Sequence, residues 1–427
     1  MINTGSDRTP ILLFSVSKIL CLEGRTIRIS FRPSLILVLI LLVLSSNCNS
    51  YAQPPVLEKS WSLSTGNGMP LAILPDRKDN RFIYVALKSG GLAVLKRENN
   101  ASAPQLVASV PRHLLKNLDV CALSSRGNLL YLALGDFFRA TGQKAGLAVL
   151  DISEPQKPQL KSIWQSEEKV RGASCIEISG SQLYLGAMSH GIYIFNLEPD
   201  RTKPTLLTVF KPDPNFPRQR PGRFTQPNVR DIKVSGNLMY TAYDAGGLRI
   251  IDLTDKSKPV ERSKYINQKM IGRPQAYNGI ALDYPFAYIS LDYGGLEVLN
   301  IANPELIRQV AWLNPWRAGT RQNNWFNSPG HTNQIAYHSQ SKRLFVSAGA
   351  AQLLIIDVNR PESPLLEQTL GRKQDKLGAW SVALEASQPS MLYLGYIKAV
   401  LPFRGGWNGL QAYRINGESF NAFGSSP

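Results

Sequence analysis

The chain is poor in cysteine and histidine and has no sustained helical period. Its 427 residues include only four of each. Cys21 and Cys48 fall in the first 52 residues; Cys121 and Cys175 stand apart in apolar strand contexts. Two isolated thiols make neither a disulfide framework nor a metal site. No HExxH, paired-carboxylate or phosphate-loop pattern occurs, and no Ser-His-Asp spacing can be read. A catalytic site written in one segment is therefore excluded, and no cofactor is implied. The longest apolar run has ten residues, short of the roughly 20 that span a membrane. Acidic residues are also scarce, 31 against 48 Lys+Arg, for a net charge of +17. Residues 1–52 hold five basic and two acidic residues, which leaves 43 against 29 in the body. A basic body attracts anions.

That apolar run, LILVLILLVL at 35–44, follows Lys18, Arg25, Arg28 and Arg32 and precedes Ser50-Tyr51-Ala52. A basic region, a short apolar core and a small-x-small site form a secretory signal peptide. Residues 1–52 are expected to be this leader, with an uncleaved anchor as the alternative. The anchor would be the sole membrane contact. The chain is thus read as exported: periplasmic, cell-surface or secreted, with nucleic acid an unexpected partner.

Residues 53–427 repeat. Each unit has an apolar strand, a Gly-containing turn, a second apolar strand, an Asp or Asn and a Pro-containing turn. Examples are LMYTAYDAGGLRIIDLTDKSKP from Leu238 and FAYISLDYGGLEVLNIANP from Phe286. The Gly before the second strand recurs at Gly91, Gly146, Gly191, Gly247, Gly295 and Gly409; Gln352 replaces it once. A period near 50 with several short strands predicts a β-propeller. The expected fold is all-β: seven blades of four antiparallel strands. Lys59-Ser-Trp-Ser-Leu-Ser is expected to be the outer strand that closes the last blade.

The segments GLRIIDLT (247–254), GLAVLDIS (146–153) and LLIIDV (353–358) resemble LVIVD repeats. The resemblance implies an exported or surface propeller and carries no catalytic residues. Asp151, Asp252, Asp357, Asn196 and Asn300 close five of the seven repeats and are expected to bond the backbone of the following turn.

The longest insertions, 135–145, 211–227, 314–330 and 398–408, all belong to loops that share one face of a propeller. They gather Arg220, Arg223, Arg317 and Arg321 with Trp316, Trp325 and Trp407. Arg with aromatic side chains is the composition of a recognition surface, and rings suit sugars. At the channel mouth, Asp119, Ser174, Arg230, Asn278, Asn333 and Trp380 occupy one equivalent position, with His331 beside it. The expected function is a non-catalytic, monomeric binding propeller for an anionic glycan, an envelope polymer or an acidic protein. The alternative is a hydrolase or lyase at the channel mouth, with His331 as base.

Overall fold

The second strand of every blade is buried along its length, with only the first residue half-buried in blades two to five, because each sheet is covered on both sides by its neighbours. Phe82–Ala86, Leu344 to Val346 and Met391–Tyr396 have no exposed residue. A Tyr recurs at the centre of this strand: Tyr84, Tyr131, Tyr184, Tyr240, Tyr288 and Tyr393, with Phe345 in blade six. The outermost strands instead face water on one side, and Val260–Tyr265 alternates exposed and half-buried positions.

The computed structural model describes residues 20–22, 25–27, 54–135, 143–222, 225–385, 391–399 and 401–416. The chain divides into two units, Met1–Gln53 and Pro54–Pro427. In the first, Leu20–Leu22 pairs with Arg25–Ile27. The apolar run at 35–44 and the small-x-small site lie outside the described residues.

The second unit is a seven-bladed β-propeller, each blade a four-stranded antiparallel sheet. Blade one runs outward through Ala72–Pro75, Phe82–Ala86, Leu92–Lys96 and Gln105–Val110. Blade two begins at Val120, three at Cys175, four at Asp231, five at Gly279 and six at Ile335. Blade seven comprises Ala379–Leu384, Met391–Tyr396, Gly409–Asn416 and Val56–Ser64. The last strand pairs antiparallel with its neighbour from Val56↔Asn416 to Ser64↔Gly409. First strands of adjacent blades contact one another around the whole ring.

Seven apolar clusters fill the seven spaces between blades. One joins Tyr240, Ile250 and Met270 to Ile289 and Leu299 between blades four and five. Another joins Trp61 and Tyr393 to Ile83 and Val85 between blades seven and one. Burial of this extent needs no crosslink, and Cys121 and Cys175 are free thiols.

Asp151, Asp252, Asp357, Asn196 and Asn300 each accept the backbone N–H two residues on. Gln352 adopts φ +61°, the left-handed conformation that Gly91, Gly247 and Gly295 supply elsewhere. Its side chain offsets the strain by bonding Asp375 and Tyr396.

Candidate functional site

Adjacent blades are stitched at the mouth by a recurring backbone pair. Two residues after the second strand, Lys88, Met188, Asp244, Asp292 and Gly349 all have positive φ. Each bridges to the segment leading into the next blade: Lys88↔Val120, Met188↔Val229, Asp244↔Tyr277, Asp292↔Thr332 and Gly349↔Ala379. The stitch uses only N–H and C=O groups, so the side chains take no part in it.

Apolar residues join the varied polar positions at the mouth. Leu71, Cys121, Met188, Trp380, Ile397 and Phe403 form an apolar plug. The void left at the axis is about 30 Å³, lined by Ser174, Arg230, Asn278, Asn333 and Trp380 among others. That is space for about one water. Gln334 closes it further, donating to the Leu71 carbonyl at 2.9 Å. Asp119 is buried and paired with Lys88 at 3.2 Å and Arg112 at 2.9 Å.

The open space lies to one side. A cavity of about 740 Å³ is lined by segments from the blade three–four and four–five connections, with Trp325 and Phe403 from later insertions. Three of the four long insertions thus contribute to it. Arg171, Arg218, Arg230 and Arg273 line it against Asp244 and Asp292. Among the described residues, neither Arg218 nor Arg273 makes an ion pair. The Arg230 guanidinium lies 5.6 Å from the centroid of the Trp380 ring.

Both carboxylates are engaged. Asp244 accepts the Asn228 amide at 2.9 Å. Desolvation raises its pKa above the ordinary carboxylate value, while Arg230 and the Asn228 bond pull it down. Asp292 receives the Trp325 indole N–H at 2.6 Å on one oxygen. Nδ1 of His331 lies 2.6 Å from the other. His331 is 0% exposed, walled by Trp325, Phe403 and Tyr293 at 5.5, 5.9 and 6.4 Å. Among the described residues its Nε2 has no hydrogen-bond partner. The polar cluster around His331 is therefore tight but sealed, and Asp292 and Trp325 are the members that line the cavity.

Of the residues expected at the site, Arg230, Asn278, Asn333, Trp325 and Trp380 line this cavity, and His331 sits behind it. Arg220, Arg317 and Arg321 are exposed on the insertions and do not line it. Arg223 lies outside the described residues. Trp316 packs onto Gly330, and Trp407 onto Gly409 and Tyr396. Sequence reasoning missed Arg171 and Arg273, which lie outside the long insertions.

Two segments match the LVIVD repeat. They are residues 119–165 and 227–267, and they coincide with blades two and four. No curated protein matches the chain. Among solved structures, the RRP9 WD40 repeats align with TM-score 0.61 at 12% identity, over 84% of this chain and 100% of that one. The computationally designed Ika8 protein aligns with TM-score 0.50 at 11% identity, over 79% and 84%. Likeness at such identity shows the propeller fold alone. The matched segment 227–267 supplies Asn228, Arg230, Asp244, Ala245 and Ile266 to the cavity, and the rest of the lining lies outside both matches.

Proposed function

We propose that the chain is a non-catalytic binding propeller whose off-axis cavity holds the acid-bearing units of an anionic glycan. The observation that carries this reading is the set of four arginines facing one cavity whose two carboxylates are already bonded internally. Arg forks suit carboxylate and sulfate groups, and Trp325 offers a ring for a sugar face. A volume near 740 Å³ suits a ligand of a few sugar rings rather than a protein surface. The leader-like N-terminus supports action outside the cytoplasm, on an envelope polymer or a secreted glycan, by a monomer.

The test is an array of uronate-bearing, sulfated and neutral glycans, followed by titration of the best binders. Retention of acidic glycans by the wild type but not by Arg230→Glu supports the reading. Equal binding of neutral and acidic glycans would sink it. Capture of acidic peptides instead would move the ligand to a protein.

A hydrolase or lyase reading draws on the His331–Asp292 pair. It requires Nε2 to reach a substrate, and the complete burial of His331 stands against that. Product formation from any of these glycans, lost in His331→Ala, would establish it.

A further inference from the structure

One wall of the cavity is a single segment, residues 266–278, which presents Ile271, Arg273, Gln275 and Asn278. Its only regular structure is the 3-10 turn Gln268–Met270. A carboxyl behind it holds it in place. Glu297, on the third strand of blade five, is 0% exposed. Its Oε1 accepts Asn267 Nδ2 at 2.8 Å, Gln309 Nε2 at 2.6 Å and the Tyr265 hydroxyl at 3.3 Å. Its Oε2 accepts the Tyr277 hydroxyl at 2.5 Å.

Two of these four donors, Asn267 and Tyr277, belong to the wall, and the bonds continue into it. The Tyr277 hydroxyl accepts the Asn267 backbone N–H at 2.9 Å. Gln275 donates to the Asn267 carbonyl at 3.2 Å. The Asn267 side-chain oxygen caps the 3-10 turn through the Lys269 N–H at 2.9 Å. The groups facing Glu297 are the phenols of Tyr265 and Tyr277 and the amides of Asn267 and Gln309. Among the described residues, no cation pairs with it.

We propose that Glu297 is a positioning residue for the cavity, whose ionisation sets how tightly residues 266–278, and Arg273 with them, are held. The inference rests on the reading of the cavity as an anion-binding site. Burying a carboxylate without a cation is costly, whereas an amide could hold the same wall without a charge. Desolvation accordingly pushes the Glu297 carboxyl from 4.5 up to about 7, and its four donors pull it back only in part. Opening the wall would hydrate Glu297 and return it toward its ordinary value. The closed wall therefore holds the proton more tightly than the open one. It is firmest at the acid end, and it loosens as pH rises through about 7. An anion held by Arg273 loses affinity over the same window.

The experiment is amide hydrogen exchange of residues 266–278 between pH 5.5 and 8.5, corrected for the intrinsic pH dependence of exchange. In the wild type, opening should increase roughly ten-fold over this range, following the shifted carboxyl. Glu297→Gln should flatten the profile. Tyr277→Phe removes one donor to the carboxylate and should move the midpoint to higher pH. A Glu297→Gln profile that parallels the wild type overturns the proposal. If that variant does not fold, an unshifted midpoint in Tyr277→Phe overturns it. A trigalacturonate titration over the same pH range forms the second arm. Affinity that follows the wall supports the link, and constant affinity over a loosening wall breaks it. Absence of binding by any acidic glycan refutes the anion-site reading, while the exchange profile alone decides whether Glu297 positions the wall.

Discussion

The guanidinium of Arg249 lies 5.2 Å from the ring centroid of Phe216 and the same distance from that of Tyr243. Arg249 is fully buried in blade four, yet its contacts reach the insertion at 211–227. It donates to the carbonyls of Asp213 and Phe216 at 3.0 and 3.3 Å, and to Glu261 at 2.9 Å. Lys264 adds a 2.9 Å bond to the Asp213 carboxylate. The insertion that carries Arg218 is therefore pinned to the ring rather than tethered only at its ends.

Removing that pin should both destabilise and loosen. Arg249→Ala leaves Glu261 without its buried partner, at a cost of about 3–5 kcal/mol. Chemical denaturation measures the cost. Limited proteolysis should show new cleavage near residues 213–222 well before the ring unfolds. Unchanged cleavage there would mean that the insertion is held by other contacts.

Charge reversal separates the cavity from the surrounding face. Arg273→Glu and Arg218→Glu should each weaken binding of an acidic glycan ten-fold or more, about 1.4 kcal/mol. Arg317→Glu and Arg321→Glu, which lie outside the cavity, should change it far less. Surface plasmon resonance at two salt concentrations checks this, since the cavity contribution should also weaken at high salt. Equal losses in all four variants would return the ligand to the broader basic face.

Asp292→Asn replaces the carboxylate shared by His331 and Trp325. One of those two donors then faces an amide N–H₂, so stability should fall by about 1–3 kcal/mol. Calorimetry reads the change, and Trp325 fluorescence reports whether the indole leaves the wall. A variant as stable as the wild type would show that the pair is not part of the framework.

Cys175 is buried among Ile192, Val229 and Ile232, and desolvation pushes its thiol up to about 12. The thiolate is the reactive form, so this thiol should resist alkylation in the native protein across pH 7–9. Mass spectrometry after iodoacetamide treatment, with and without denaturant, tests it. Native labelling at Cys175 would show that blades three and four part readily.

Much of the fold was legible because a repeat writes the same physics seven times. The closing Asp or Asn, the left-handed glycines and the apolar second strand each follow from local backbone demands. The site was legible only in part. Residues at the ends of first strands, such as Arg230, Asn278 and Trp380, could be aligned by register. Arg171 and Arg273 could not be found this way, because only the folded ring brings their segments to one cavity. The plug was hidden for the same reason: Leu71, Met188 and Phe403 are ordinary apolar residues until three blades bring them together. A readable signal was also overlooked, the Tyr at the centre of the second strand in six blades.

The stitch between blades has an evolutionary meaning. At the turn that carries Lys88, Met188, Asp244 and Asp292, the backbone joins the ring through N–H and C=O groups alone, and each side chain has its own partners: Asp119 for Lys88, the apolar plug for Met188, Asn228 for Asp244, and His331 with Trp325 for Asp292. Exchanging such a side chain leaves the backbone stitch intact and disturbs only its local partners, with a modest cost for the left-handed backbone. The present occupants, a cation, a thioether and two acids, show how widely the position varies within one chain. Changes of ligand specificity among related propellers should therefore collect at this turn while the strands around it stay nearly still.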